Sequence, residues 1–285
     1  MRWYRAHGRH QLPWRQTRDP YAVLVSEVML QQTQVDRVLP YYESWLARWP
    51  AVDALASASP ADVIRAWQGL GYNRRALALH RAACLVVAEN GGRVPVDPVA
   101  LRALPGVGSY TATAVACFAG GIQTPVVDTN IGRVLARVLA GKGNVAEAGT
   151  AQVAAEAHDL LPERGARDHN LALMDLGATV CSARAPTCNR CPLRAHCEWR
   201  RLGSPVAVGA LKPARRFDET SRFARGRIVD ALRSASSLAA GEIEAKLPAI
   251  HAGKLHTYLA ALERDSMITR TGDRWSLPGA GPTAG

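Results

Sequence analysis

The chain has 285 residues, 48% of them hydrophobic, with 35 lysines and arginines against 24 acids and a formal charge of +11. That is enough chain for one or two domains with a full core, and the mixture of apolar and charged residues excludes a disordered or fibrous class. The positive excess, almost entirely arginine, points to a polyanionic partner and suits bidentate phosphate contacts. No run reaches the ~18 apolar residues of a membrane span, and the start, MRWYRAHGRHQLPWR, lacks the apolar stretch of a secretory signal. A soluble, cytoplasmic (nucleoid-associated) protein is expected, in a reducing compartment where clustered cysteines more often hold a metal than a disulfide.

In chain order, residues 3–7 offer a short helix, followed by a turn at Gly8 and the segment Leu12-Pro13-Trp14-Arg15. Asp19-Pro20 is a helix start, with Asp as N-cap and Pro in the first helical position, and the helix reads YAVLVSEVMLQQ. Glu27 lies four and three residues after Val23 and Leu24 and three before Leu30, so it shares their apolar face. Desolvation there should raise its pKa and make it a proton donor near neutral pH. A structural Glu at the edge of the stripe, paired with an arginine, is an equal alternative on these residues alone.

Thr33 is placed to cap the next helix, 34–49, which leaves Gln31-Gln32-Thr33 at a helix junction with polar side chains able to reach a ligand. Helices follow at 61–68, 74–89 and 99–104. Gly69-Leu70-Gly71-Tyr72 is a glycine turn whose Leu and Tyr are ordinarily core plugs, and beside DNA could act as base wedges.

Leu104-Pro105-Gly106-Val107-Gly108 reads as the turn of a helix–hairpin–helix. Pro105 stops one helix, Gly106 and Gly108 permit positive φ, and Ser109 can cap a helix over 110–119. Such a turn aims bare N–H groups and a helix N-terminus outward, an anion site that in a basic protein fits a nucleic-acid phosphate. The apolar run 125–127 then delivers Asp128 to the start of a helix over 129–139. In isolation a Gly-x-Gly turn is usually only a turn and such an Asp only a cap. Two further helices fit within 150–178 and no strand pattern precedes the C-terminal region, so the body is expected to be all-α.

Cys181, Cys188, Cys191 and Cys197 give the spacing C-x6-C-x2-C-x5-C. Zinc sites usually pair two short knuckles across a longer gap. Four thiols crowded here around a single C-x2-C suit a 4Fe–4S cluster better, with zinc as the alternative. Arg184, Arg190 and Arg194 would make this loop a second phosphate-contacting surface. Cys84 and Cys117 sit in apolar helical contexts and read as small core residues.

These segments together resemble the helix–hairpin–helix DNA glycosylases with a terminal iron–sulfur loop, and among them the adenine DNA glycosylases of the MutY type. The resemblance rests on Leu12-Pro13-Trp14-Arg15, SEVMLQQTQV at 26–35, GLGY at 69–72, LPGVGSYTA at 104–112, VVDTNIGRVLAR at 126–137 and the cysteine loop. It implies a two-lobed fold: a six-helix barrel over 20–133 facing an iron–sulfur domain made of 1–19 and 134–200, with DNA in the cleft. It also implies a monomer that excises adenine mispaired with 8-oxoguanine or guanine in double-stranded DNA, after flipping the base from the stack.

In that scheme Glu27 protonates adenine N7, and Asp128, among the N–H donors of a helix tip, is the anion that stabilises charge on the sugar. Tyr110 and Asn130 would be active-site supports. Trp14, Arg15 and Asp175 would belong to the adenine pocket, Asp175 standing where the family usually has Glu. Leu30, Gln32 and Tyr72 would fill or probe the stack, and Gly106, Gly108 and Ser109 would hold phosphate. Tyr110 stands where related lyases carry a Lys; a phenol forms no Schiff base, so a monofunctional enzyme is expected.

Many members end in a Nudix-like domain, for which residues 217–279 are too few. After a linker at 201–216 they read instead as a winged-helix-like module, with helices at 222–234, 240–247 and 252–264 and a β wing at 268–277. Lesion sensing, DNA clamping and simple stabilisation are all open for it. Two other functions compete: thymine excision from G·T mismatches, and a non-enzymatic iron–sulfur DNA-binding regulator. Glu27 argues against the first, since a purine N7 is the group that needs an acid. Glu27 and Asp128 together argue against the second, since binding alone requires neither.

Overall fold

The computed structural model of the protein describes residues 1–205 and 216–279, so most of the linker expected at 201–216 lies outside the described residues. Nearly every element is helical: α1 (Arg2–His7), α2 (Pro13–Gln16), α3 (Pro20–Leu30), α4 (Val35–Arg48), α5 (Val52–Ala56), α6 (Pro60–Ala66), α7 (Arg74–Glu89), α8 (Pro98–Arg102) and α9 (Ser109–Phe118). There follow α10 (Thr129–Val138), α11 (Val145–Ala148), α12 (Thr150–Asp159), α13 (Ala166–Thr179), α14 (Glu198–Arg201), α15 (Ser221–Arg233), α16 (Ala240–Glu244) and α17 (Leu255–Arg264). Three short strands, β1 (Leu238–Ala239), β2 (Thr269–Thr271) and β3 (Arg274–Ser276), form one antiparallel sheet in the order β1-β3-β2. The body is all-α, and the closing order α15-β1-α16-α17-β2-β3 is that of a winged helix. Neither α5 nor β1 was anticipated from the residues, both being too short to show a period.

The chain forms two compact units. One contains Met1–Glu27, Pro95–Ala103 and the stretch from Val107 towards the linker; the other contains Val28–Val94, Leu104–Gly106 and the C-terminal stretch. In the first, Asp19 caps α3 as expected, accepting from the Tyr21 and Ala22 amides at 3.1 Å each. Every residue from Tyr21 to Met29 is buried. The helix is therefore enclosed on all sides rather than along one stripe, as its shortage of polar residues allows. Helices α8 and α9 pack together as the two arms of the hairpin, and α10 packs along α13. A Cβ on Gly177 of α13 would lie 2.6 Å from the Asn130 Cβ and 2.8 Å from the Asn130 carbonyl oxygen, so the two helices meet there backbone to backbone. Buried Asn170 ties down the segment before α10: its amide donates to the Thr124 carbonyl at 3.0 Å and accepts from the Val126 N–H at 2.9 Å.

In the second unit the indoles of Trp45, Trp49 and Trp67 meet edge to face, and α5 and α6 pack on α7. The winged module shares this core. Ile228, Leu232, Ile243, Tyr258 and Trp275 pack in one cluster with Ala61, Ile64 and Leu77 of α6 and α7. Arg233, its side chain 5% exposed, donates from Nε to the Ile64 carbonyl at 3.1 Å and from Nη2 to Asn73 Oδ1 at 3.0 Å.

Three local expectations are corrected. Thr33 does not cap α4, whose N-cap is Gln34 without a side-chain bond; Thr33 Oγ1 instead accepts from Arg75 Nη2 at 3.2 Å. Ser109 is inside α9 rather than its cap, the N-cap being Gly108. Gly108 is extended at φ −83°, and only Gly106, at φ +78°, uses the left-handed region.

Gly177→Ala should destabilise the protein by roughly 1–3 kcal/mol, because the added methyl has backbone rather than a flexible side chain to displace. A lowered urea midpoint with an unchanged slope would show it; an unchanged midpoint would mean that α10 and α13 can part freely.

Candidate active site

Glu27 is 7% exposed on α3 and shares a hydrogen bond with the Tyr110 phenol of α9. Burial pushes its pKa up to about 7. The Tyr110 bond opposes that rise, the Asp128 charge adds to it, and Arg15 pulls weakly the other way. The Tyr110 phenol itself is held well above its ordinary value, first by burial and then by the charges of Glu27 and Asp128. Four residues singled out from the sequence thus converge: Glu27, Tyr110, Asp128 and, beside Asp128, Asn130.

Asp128 caps α10 with one oxygen, Oδ1 accepting from the Asn130 and Ile131 amides at 2.9 and 2.7 Å. Its other oxygen accepts from the Asn130 side-chain amide at 2.8 Å. Arg133, one turn on, donates to Asn130 Oδ1 at 2.9 Å, to the Gly177 carbonyl at 2.8 Å and to the Cys181 carbonyl at 2.8 Å. It orients Asn130 so that the amide faces Asp128. Arg133 was not singled out from the sequence, although its i, i+3 spacing from Asn130 was a usable sign.

Asp175 is fully buried and accepts four N–H bonds. Two come from Arg9, by its amide at 2.9 Å and its Nε at 2.6 Å, and two from Arg15, at 2.5 and 2.8 Å. Burial alone would raise this carboxyl, but the bonds from Arg15 and Arg9 outweigh it and hold it below its ordinary value. Asp175 therefore faces its two arginines and presents nothing to open space, while Arg15 and buried Trp14 lie on α2. Arg9 had no local signal; its partner is 166 residues away.

In the second unit Leu30 is half-buried, whereas Gln32 and Tyr72 are exposed and line one pocket with Gln31 and Arg75. Gln32 and Tyr72 both have positive φ, 54° and 48°, in the region that favours glycine. Arg75 holds this arrangement. Its Nη1 donates to the carbonyls of Val28, Met29 and Gln31, and its Nη2 to those of Leu70 and Gly71, at 2.6–3.1 Å. It was missed because an arginine at a helix start looks like any solvated charge. In the hairpin Gly106, Gly108 and Ser109 are exposed, and α9 starts with no side-chain cap on its free N–H groups.

The four cysteines of the loop line a single narrow pocket with Arg137 and Trp199. Burial raises the Cys191 and Cys197 thiols, and the other sulfurs of the set add to the rise. Among the described residues, no group of three or more His, Cys, Asp or Glu side chains is placed to hold a metal ion. Arg137 clamps the loop through the Ser182 and Ala183 carbonyls at 2.8 and 2.9 Å. Arg184, Arg190 and Arg194 are exposed; Cys117 is buried and Cys84 half-buried. Among the described residues no helix is long and apolar enough to cross a membrane.

A profile of the HhH-GPD superfamily base excision DNA repair proteins matches residues 25–163. The chain is 44% identical over 285 residues to the adenine DNA glycosylase of Mycobacterium tuberculosis (strain CDC 1551 / Oshkosh), covering 99% of this chain and 93% of that protein. It is 42% identical to the adenine DNA glycosylase of Mycolicibacterium smegmatis, covering 99% and 96%. Among solved structures, a thermostable thymine-DNA glycosylase superposes with a TM-score of 0.61 at 33% identity, over 67% of this chain and 88% of that one. An endonuclease III–DNA complex superposes with a TM-score of 0.61 at 21% identity, over 72% and 93%, and shows the same fold. Fold and profile define a helix–hairpin–helix base-excision repair glycosylase. Within that superfamily, the chain belongs to the adenine DNA glycosylases.

A carboxyl whose pKa is higher folded than unfolded binds more protons in the folded state between pH 4.5 and about 7. The stability of the native protein therefore falls as pH rises through that window. Glu27→Gln, which removes the titration, should match the parent below pH 4.5 and be the more stable by roughly 3 kcal/mol above pH 7. Urea denaturation at several pH values reads the difference; parallel curves would show that Glu27 is solvated.

Proposed function

We propose that the protein hydrolyses the N-glycosidic bond of adenine mispaired with 8-oxoguanine or guanine in duplex DNA, without lyase activity. The observation that carries this reading is the convergence of Glu27, Tyr110 and Asp128, with one carboxyl pushed up to about 7 and the other engaged as a triple acceptor. The base must leave the stack to reach them. Protonated Glu27 gives its proton to adenine N7, the C1′–N9 bond breaks, and its electron pair passes into the now neutral base. The Asp128 carboxylate, held by its own helix and by Asn130, stabilises the cationic sugar. Water then adds to C1′ and returns a proton to Glu27. Tyr110 keeps its proton and serves Glu27 as a hydrogen-bond donor, and no amine stands there to attack the sugar.

Trp14 and Arg15 line the base pocket in this scheme, and Asp175 acts through Arg15 as a positioning residue. Gln32, Tyr72 and Leu30 work on the stack at the mismatch. The bare N–H groups around Gly106, Gly108 and Ser109 accept a phosphate. The enzyme works as a monomer on the cytoplasmic chromosome. Cys181, Cys188, Cys191 and Cys197, four thiols around one pocket and none in a disulfide, are a donor set that fits a 4Fe–4S cluster. When bound, the cluster would supply a rigid cross-link for a loop otherwise made of two 3-10 turns. The cysteinyl sulfurs would hold it, and Arg137 would screen their charge.

The thymine-DNA glycosylase among the structural neighbours makes thymine the competing base. Incubation with A·8-oxoG, A·G, T·G and matched duplexes, followed by hot alkali, separates the two; adenine should be released and thymine not. Glu27→Gln and Asp128→Asn should each lower excision by at least 100-fold with mismatch binding retained. Normal turnover in either variant would end the assignment. In the parent, the single-turnover rate should fall as pH rises through about 7, where the acid form of Glu27 is lost. Protein purified without oxygen should carry about four irons and absorb in the visible, and Cys197→Ser should lose both; bound zinc instead would refute the cluster.

A further inference from the structure

The pocket around Gln32 and Tyr72 is only half built by the residues of α4, α7 and the 69–75 turn. The rest comes from the C-terminal module: Phe217, Arg222, Phe223, Arg225, Arg227 and Arg233 all line it. Its charge is strongly one-sided. Seven arginines face it, from Arg37 to Arg233, with Asp230 as the one carboxylate among its lining residues. Several of these cations are already committed. Arg75 is spent on backbone carbonyls, Arg233 on Asp230, Arg225 and Arg74 on Asp265, and Arg37 on the Gly69 carbonyl.

Arg222 and Arg227 remain. The Arg222 guanidinium lies between two aromatic faces, 4.7 Å from the Tyr72 centroid and 4.8 Å from that of Phe217, and donates to the Tyr72 hydroxyl. Arg227 is exposed and has no carboxylate partner among the described residues. Two uncompensated guanidinium groups, five residues apart on α15 and inside a concave cationic surface, suit successive phosphates of a polyanion.

The ordinary reading face of a winged helix is different. Its third helix, here α17, turns His256, Thr257, Ala260, Glu263 and Arg264 to solvent; its one arginine stands in the last turn, directly after the Glu263 carboxylate. In the wing, Arg274 is held by Ser237 and Glu242, and Arg270 lies over the Trp275 ring with its Nε bonded to the Gly272 carbonyl.

We infer that the C-terminal module grips the phosphodiester backbone of DNA with its first helix, α15, through Arg222 and Arg227, and not with its third helix and wing. This rests on the protein working on duplex DNA. It adds a second backbone site, besides the hairpin, on the winged module.

The test is the salt dependence of binding to a matched duplex, which offers no base to excise, measured by fluorescence anisotropy. Each lost phosphate contact lowers the slope of log K against log salt by about 0.9. Arg222→Gln/Arg227→Gln should reduce the slope by about two, and Arg227→Glu alone, which breaks no side-chain hydrogen bond or ion pair among the described residues, should weaken binding further than Arg227→Gln. Lys254→Gln/Arg270→Gln, which removes the same charge from the third helix and wing, should leave the slope near that of the parent. Single-turnover excision at saturating mismatched duplex should be unchanged in Arg227→Gln and in Lys254→Gln/Arg270→Gln; Arg222, which donates to Tyr72, is read by binding alone. An unaltered slope in the Arg222/Arg227 variant, or a loss of slope only in the Lys254/Arg270 variant, overturns the inference. Failure of the parent to release adenine would instead remove the proposed activity and leave the binding result standing.

Discussion

Water cannot solvate a charge on Glu27, because the helix that carries it is buried at every position from Tyr21 to Met29. That desolvation sets the chemistry of the first unit. Left alone it would make the carboxyl a permanent acid and a poor one to recycle. Tyr110 offsets it with a hydrogen bond and Arg15 with a modest field, while the Asp128 charge reinforces it, so the balance falls near neutrality. An acid poised there can both give up and take back a proton near neutral pH.

The rest of the unit holds these groups in register. Asn170 fastens the extended segment that leads into Asp128. Arg133 bridges Asn130, the Gly177 carbonyl and the start of the cysteine loop, and Gly177 lets α13 close on α10. Behind Arg15, Asp175 satisfies two guanidinium groups at once, so the planar fork of Arg15 is held fixed near Glu27. A shift in any of these would be passed on, through Asn130, the segment before α10 or Arg15, to the setting of Asp128 or Glu27.

The second unit solves a different problem with a similar device. Arg75 collects the carbonyls at the end of α3 and in the 69–71 turn, and burial lowers its pKa to about 10. That one guanidinium fixes two segments in which Gln32 and Tyr72 adopt left-handed backbone. Strain of this kind persists only where the surroundings over-determine it. The winged module adds its own apolar core to α6 and α7, which secures α15 beside the same turn.

Local chemistry was legible in the residues. Asp19-Pro20 started α3, Arg74–Glu89 was bounded correctly, Glu27 stood in an apolar setting, and Asp128 preceded a helix. These depend on periodicity, capping and propensity, which act within a few residues. Short elements such as α5 and β1 escaped, and Thr33 and Ser109 were misread as caps, because at a chain reversal several residues compete for the same N–H groups. What no stretch of sequence contained was the pairing of distant groups: Tyr110 with Glu27, Arg9 and Arg15 with Asp175, Arg222 with Tyr72. The chain by itself determined which side chains could be acid, anion, thiol or cation. Only the tertiary structure decided their protonation and their partners, because desolvation and Coulomb interaction depend on distance through space and not on separation along the chain.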